Sequence, residues 1–314
     1  MEADFLRYPV MRQFYQERDV VREEQRSRTE DDPMGRLLEQ FYGTAFLMHP
    51  YRQPVIGYVS DIERLTATKL ETFRDKYYVP SNMVITLVGD VDPERDGILL
   101  EKYFGEIPKG KDPERPKIEE REQDGERRIT VQFNSSPELL IGYKKPNYPH
   151  PDDAPITVML EVLSGGKTSL LYRELVEKKR LATVVEVTEV PGSAYPNLAV
   201  FFAEPANPHS NDKLLEEFDR LIDEFKESQV NEEDIKIAKR ALSMSYLQTM
   251  RSNNSLASAL LSSELLHGDW MATLAWYDEA MKVSSNDIKR VANTYLRKSR
   301  RTIGMLEKKM EVEK

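Results

Sequence analysis

The chain has 314 residues and a formal charge of −9, and 39% of its residues are hydrophobic. This length suits two domains better than one, and the apolar content is enough for packed cores. The acidic balance argues against a nucleic-acid partner. The absence of cysteine excludes disulfides and thiolate metal sites, and no apolar run approaches the about 20 residues that span a bilayer.

The first third of the chain is predicted to be mainly helical. Pro33 suits the first turn of a helix, and Thr66 with Lys69 marks a helix cap. The β-rich run Met83–Val88 predicts a buried strand. The helices are expected at about 9–27, 33–47, 66–79 and 93–103.

Residues 109–127 predict a charged linker, because the stretch 109–128 holds one aliphatic residue, Ile118, among charges, proline and glycine. Such a composition buries too little surface to offset the entropy of ordering. Beyond it, strands are predicted at 128–133, 138–143, 182–190, 198–204 and 301–307, and helices at 152–164, 169–179 and through most of 211–296. These patterns predict an α+β protein.

An internal repeat of 218 residues relates the two parts of the chain. It places His49 on His267 and keeps apolar residues on apolar residues over about 40 positions without a gap. We therefore expect two homologous α/β sandwich-type domains, at 1–108 and 128–314.

The same repeat predicts that the first domain is incomplete. The second copy begins near residue 127, which is 156 residues before its anchor at 283, and the matching anchor of the first copy is residue 65. Since 65 − 156 is −91, the first copy would lack about 90 residues at its front, including the strands that its partner copy retains. A half-domain without its sheet leaves helices with no apolar surface to cover. The chain is therefore expected to be a fragment.

Several short motifs, each weak alone, occur in a specific order and spacing: Glu17–Glu24 (ERDVVREE), His49-Pro50-Tyr51 with Val55-Ile56-Gly57, Tyr77-Tyr78-x-Pro80-x-Asn82-Met83, Val88-Gly89-Asp90-Val91, and Leu163-x-Gly165-Gly166-x-x-Ser169-x-Leu171-Tyr172. With them the chain resembles the insulinase/pitrilysin family of zinc metallopeptidases, in its bacterial form with two-domain subunits. The resemblance implies an insulinase-like half-shell fold and peptide hydrolysis.

In that family a His-x-x-Glu-His helix supplies two zinc ligands and a general base, and a distant Glu supplies the third ligand. No histidine of this chain has Glu three residues on and His four residues on, so the motif is absent. The resemblance assigns the third ligand to Glu24, with Glu17 as its acidic neighbour on the same helical face. The repeat aligns Glu24 with Leu242, so the second copy has an apolar residue at this position, and this contrast favours a special role for the acid. The alternative is that Glu24 is one solvated charge on a Glu-rich helix.

Two other candidate features favour structural roles. His49 recurs as His267, so it is expected to serve the shared fold, at a helix end, rather than a metal. Gly165-Gly166-Lys167-Thr168 lacks the earlier glycine of a phosphate-binding loop and is expected to form a tight turn between helices.

The resemblance also implies partners. Related enzymes carry an Arg and a Tyr in a Leu-Arg-x-x-x-x-Leu-x-Tyr stretch, where this chain has Val176 and Thr183. This substitution favours the zinc-bearing subunit of a homo- or heterodimer with a homologous subunit, acting on peptides. Zinc is expected in the complete protein and absent from this chain alone.

Two functions stay open. One is a fragment of a zinc metalloendopeptidase that is inactive as this chain, and the other is a non-catalytic, peptide-binding subunit of the same fold. A helical scaffold is a third, generic possibility, which the repeat disfavours. The compartment is open too, although bacterial relatives of this kind are often exported.

Overall fold

A computed structural model describes residues 2–115 and 117–309 and shows a mixed α/β protein, as predicted. Pro116, in the predicted linker, and residues 310–314, in the predicted second domain, lie outside the described residues. The helices are α1 (Glu2–Arg7), α2 (Phe14–Gln25), α3 (Pro33–Ala45), α4 (Val59–Glu63), α5 (Ala67–Tyr77), α6 (Pro93–Phe104), α7 (Asp153–Ser164), α8 (Asn211–Glu227), α9 (Glu232–Arg251), α10 (Asn253–His267), α11 (Ala272–Lys282) and α12 (Ser285–Tyr295). The strands are β1 (Arg127–Phe133), β2 (Glu138–Lys145), β3 (Ala182–Val190), β4 (Asn197–Pro205) and β5 (Arg301–Lys308).

The described strands form one sheet in the order β1-β5-β2-β4-β3. The last strand, β5, lies between β1, to which it is parallel, and β2, to which it is antiparallel. A central strand with two partners is buried on both faces, and β2 and β5 accordingly read as nearly continuous buried runs.

One face of this sheet carries the larger core. Ile141, Phe201 and Ile303 project from three neighbouring strands into a cluster that also contains residues of α7, α8 and α12. The register places Ile141 opposite both Phe201 and Ile303, so these side chains are direct neighbours across the strands.

The other face is covered by α3. Its buried residues Leu37, Phe41 and Ala45 follow a spacing of four, which sets them in one stripe along the helix. Phe41 packs where two strands carry Gly142 and Gly304, and a Cβ at Gly142 would lie 2.6 Å from the Cζ atom of Phe41. The glycines therefore open the space that this ring occupies.

The ends of α3 are fixed by polar contacts. The Asp32 carboxylate accepts a hydrogen bond from the Gly35 N–H at 2.6 Å, which is an N-cap, and Pro33 occupies the first turn. At the other end the Arg127 guanidinium donates to the carbonyls of Thr44 and Ala45, both at 2.9 Å. These contacts satisfy backbone groups that a helix end leaves free.

The chain divides into two compact units. We call Met1–Arg28, Val55–Lys117 and Thr249–Met271 the helical unit, and Thr29–Pro54, Ile118–Gln248 and Ala272–Lys314 the sheet unit. Adding 218 to 29–54 gives 247–272, which nearly coincides with 249–271. The helical unit, which is built mainly from the first half of the repeat, therefore includes the α10 segment of the second half. The sheet unit likewise includes the α3 segment of the first half. The domain boundaries at 108 and 128 stay a prediction, because compact units are defined by contacts and not by descent.

The local structure follows the predicted repeat. Helix α5 shifted by 218 is α12, residue for residue, with N-caps at Thr66 and Ser284. The 3₁₀ turn at Pro80–Asn82 likewise shifts onto the one at Lys298–Arg300. One helix and the turn after it therefore agree between the two segments that the repeat relates, and the presence of two homologous domains stays a prediction.

The prediction of a strand at Met83–Val88 is wrong. Its repeat partner is β5, which has a neighbouring strand on each side, whereas 83–88 pairs with no strand in the described residues. A β-rich sequence becomes a strand only when backbone partners satisfy its N–H and C=O groups.

Three other predictions need correction. The helix expected from Pro9 begins at Phe14, and after Gln25 it continues as π-helix through Glu30. The helix expected at 169–179 is π-helical over Tyr172–Lys178. The predicted linker also has an ordered end, because Gln123 is buried and its amide donates to the Arg301 carbonyl at 2.6 Å.

Within the described residues no helix combines the length and apolar character needed to cross a membrane.

Candidate metal centre

The predicted metal ligand, Glu24, lies in the last turn of α2 in the helical unit. Its carboxylate is 3.0 Å from the Arg28 guanidinium, one turn on, and its side chain is 41% exposed. Glu17 lies two turns earlier on the same helix and is exposed. Both acids are thus on α2, but each is accessible to solvent and Glu24 already has a basic partner.

Two arginines attach α2 to the short helix α4. The Arg18 guanidinium donates to the Glu63 carbonyl at 3.3 Å, and the Arg22 guanidinium lies 3.6 Å from the Glu63 carboxylate. The contacts join groups 45 and 41 positions apart in the sequence. They attach one face of α2 to α4.

The donors among the described residues do not make a zinc site. A protein zinc centre needs three or four nitrogen, sulfur or oxygen ligands in a tetrahedral arrangement. No group of three His, Asp or Glu side chains that could hold a metal occurs in residues 2–115 and 117–309. The sequence also lacks the His-x-x-Glu-His motif, which would supply two imidazole ligands to the same metal as Glu24. The roles of Glu24 and Glu17 at a zinc site therefore stay predictions.

His49 has a structural position in the sheet unit. Its Nδ1 accepts a hydrogen bond from the Tyr51 N–H at 3.2 Å and caps a short 3₁₀ turn, and its ring lies 4.4 Å from that of Tyr51 and 4.8 Å from that of Tyr195. The ring is buried, and burial lowers its pKa despite the opposing charge of Glu120. The position at a helix end agrees with the sequence-based interpretation.

A carboxylate that the sequence did not single out organises the same region. Glu120 accepts hydrogen bonds from the backbone N–H groups of Leu47, Met48 and His49 at 2.8–2.9 Å and from the Lys144 ammonium at 2.9 Å. Burial tends to raise its pKa, but these donors outweigh burial and lower the pKa to about 2. The composition of the segment indicated a solvated linker, and only the fold shows where this acid lies.

The glycine-rich segment after α7 is a turn, as predicted. Gly165 follows the last residue of the helix, Gly166 has φ of 105°, and the Ser169 hydroxyl donates to the Gly166 carbonyl at 2.6 Å. Val176 and Thr183 occupy the positions at which related enzymes carry an Arg and a Tyr. Val176 packs against the larger core, and the Thr183 hydroxyl donates a hydrogen bond to the Glu204 carboxylate at 3.1 Å.

The comparison with protein families identifies the family to which the chain belongs. The family model described as "Peptidase M16 inactive domain" matches residues 64–242, more than half of the chain. The chain belongs to the peptidase M16 family. The matched range of this M16 chain crosses the predicted linker and includes parts of both compact units.

Named relatives of the M16 chain are zinc proteases. It is 28% identical over 301 residues to the zinc protease PqqE of Helicobacter pylori, covering 94% of this chain and 67% of that protein. It is 26% identical over 289 residues to an uncharacterized zinc protease of Mycobacterium leprae, covering 90% of this chain and 63% of that protein. A protease from Helicobacter pylori of known crystal structure superposes with a TM-score of 0.86 at 28% identity, over 94% of this chain and 72% of that one. The M16 chain therefore spans about two thirds of the length of these relatives.

Proposed function

We propose that this M16 chain is part of a zinc metalloendopeptidase that hydrolyses unfolded polypeptides, and that residues 1–314 alone are inactive. The carrying observation is the contrast within the repeat: α2 retains an acid, Glu24, where the matching position on α9 is the apolar Leu242. A zinc-binding copy needs a carboxylate at that position, whereas a copy with only a structural role does not. The naming of relatives as zinc proteases supports the same proposal.

The proposed substrate is a peptide in extended conformation. Strand β3 lies at one edge of the sheet, with β4 as its partner on the other side. An edge strand offers free backbone N–H and C=O groups to an added strand, and such pairing tolerates many side-chain sequences. That tolerance suits an enzyme whose substrates share an unfolded backbone and not a sequence.

The test compares the 314-residue chain with the gene product of the reading frame extended upstream of Met1. We expect the 314-residue chain to hold less than one zinc per molecule by elemental analysis and to leave unfolded casein uncut. We expect a longer product that carries His-x-x-Glu-His to bind zinc and cut casein, and to lose tightly held zinc when Glu24 is changed to Gln. The matched control is Glu23→Gln, which removes a neighbouring exposed carboxylate. Stoichiometric zinc in the 314-residue chain would contradict the proposal.

The alternative is a non-catalytic subunit that binds peptides and pairs with a homologous partner. The description of the matched family domain as inactive favours it. An upstream reading frame without His-x-x-Glu-His would support this alternative. The zinc-bearing role in a pair predicts instead that adding a homologous subunit with the Arg and Tyr raises peptidase activity.

A further inference from the structure

Residues 83–88 of the helical unit have the burial pattern of a strand that lacks a neighbouring strand. Met83, Ile85 and Leu87 are between 38% and 48% exposed, and the residues between them are half-buried. This alternation with a period of two is typical of an extended segment that packs one face and leaves the other open. The segment pairs with no strand in 2–115 and 117–309, so its backbone N–H and C=O groups are available to an added strand.

The open face of this segment is apolar. Residues 83–88 read Met-Val-Ile-Thr-Leu-Val and carry no charge. Edge strands that stay unpaired usually carry a charged residue or a proline that discourages pairing, and this segment has neither. The side chains that fit opposite its exposed residues are therefore apolar, because a charge placed there would be desolvated without a partner.

The 218-residue repeat predicts the register of a strand that fits. It aligns residues 83–88 with part of β5, which has β2 as its antiparallel neighbour. Leu139 of β2 lies opposite the position that aligns with Leu87. Ile141 lies opposite the position that aligns with Ile85. A strand added in the same register would set apolar side chains against both exposed residues, and such cross-strand pairs stabilise a sheet.

We propose that residues 83–88 bind an extended segment of a partner protein, which adds as an antiparallel strand with apolar side chains opposite Ile85 and Leu87. Backbone hydrogen bonds hold the added segment, and its alternate side chains determine the specificity. The interaction requires no zinc and no peptide hydrolysis, so it goes beyond the proposed function.

The test follows hydrogen exchange of the 314-residue chain by mass spectrometry, with and without a peptide that has the sequence of β2 (Glu138–Lys145), acetylated and amidated. We expect saturating peptide to slow exchange of 83–88 by about 10-fold or more. Exchange of 301–306 should not change, because β5 already has a strand on each side. Serine in place of both Leu139 and Ile141 of the peptide should weaken binding by about 5- to 30-fold, the effect of two lost cross-strand pairs.

Variants of the chain locate the site. The double change Ile85→Lys with Leu87→Lys places two charges on the open face and should weaken peptide binding by about 10-fold or more. Both side chains are exposed, so the fold does not depend on their burial. The matched control, Ile98→Lys, changes an exposed apolar residue of α6 in the same unit and should leave peptide binding unchanged. Unchanged binding in the double variant, or equal binding of the serine peptide, would refute strand addition at 83–88.

Two further results would assign the open edge of 83–88 to a different strand. A dimer of the 314-residue chain in analytical ultracentrifugation, with 83–88 protected before peptide is added, would mean that a second copy pairs there. Protection of 83–88 in the longer gene product without peptide would mean that the strand belongs to the same chain. Either result would overturn the proposal of a partner protein.

Discussion

At the scale of single residues, Glu120 shows how one buried charge can fix a backbone segment. Its two carboxylate oxygens accept three successive N–H groups at the end of α3, and Lys144 provides the counter-charge. Hydrogen bonds to an ionised group are stronger than those between neutral groups. The side chain is 10% exposed, so water competes little for these bonds.

We predict that Glu120→Gln lowers the free energy of unfolding by about 1.5–3 kcal/mol at pH 7, because an amide oxygen is a weaker acceptor and leaves Lys144 without its counter-charge. The pKa of Glu120 in the folded chain, about 2, lies below its ordinary value of 4.5. The unfolded chain therefore binds more protons, and this contribution is present above pH 4.5 and is lost as the pH falls towards 2. Urea unfolding between pH 3 and pH 7 measures both effects.

The matched control for this prediction is Glu119→Gln, the same substitution at the exposed neighbouring residue. It should leave the free energy of unfolding within about 0.5 kcal/mol of the parent chain. An equal loss in the two variants would mean that general charge, and not the bonds made by Glu120, sets the stability of this region.

At the scale of elements, the packing of α3 depends on matched large and small residues. Phe41 is completely buried against Gly142 and Gly304, which belong to neighbouring strands. A phenylalanine ring is accommodated here because the strands supply no side chain at those two positions. The pair of strands and the helix are separated by about 100 residues or more in sequence, so no local pattern reveals the match.

We predict that Phe41→Ala destabilises the chain by about 3–5 kcal/mol, through lost burial and the cavity left behind. Gly142→Ala should cost about 1–3 kcal/mol, because the new Cβ would lie 2.6 Å from the Phe41 ring. In the double variant the second cost should largely disappear, since the ring that clashes is gone. Chemical denaturation of the four chains measures this coupling.

Gln40→Ala, on the exposed face of α3, is the control for helix content and should change stability little. Additive effects of Phe41→Ala and Gly142→Ala would contradict the close contact between these residues.

At the scale of the whole molecule, the two copies of the repeat differ in burial. Leu70, Phe73, Ile85 and Leu87 are between 37% and 53% exposed, whereas their repeat partners Ile288, Val291, Ile303 and Met305 are between 0% and 6% exposed. The sequences are equally apolar at these positions, so the difference lies in what covers them. The sheet unit contains the five-stranded sheet, and the described part of the helical unit contains no strand.

We predict that amide hydrogens of Met83–Val88 exchange on the order of 100-fold faster than those of the matching segment Arg301–Leu306. The strand β5 is hydrogen-bonded on both edges, and its counterpart has no strand partner among the described residues. Hydrogen exchange followed by mass spectrometry compares the two within one sample. Equal protection would mean that 83–88 is paired in solution.

Sequence reasoning recovered the elements that depend on local chemistry. The cap at Thr66, the proline at the start of α3, the turn after α7 and the strands of the sheet all follow from residue types at short spacing. The family resemblance followed from ordered motifs along the whole chain and was confirmed, and the repeat, which one matching pair of helices supports, stays a prediction. The roles of Glu24 and Glu17 depend on partners that this chain does not supply, so they stay predictions.

The sequence by itself determined the fold class and membership of the M16 family, because periodicity and ordered motifs are recorded in the chain. The tertiary structure alone decided that 83–88 is not a strand, that Glu120 is held by three backbone N–H groups, and that the α3 and α10 segments are exchanged between the compact units. The physical reason is the same in each case. Strand pairing, burial of a charge and the choice of packing partner are properties of groups far apart in sequence, and they exist only once those groups meet.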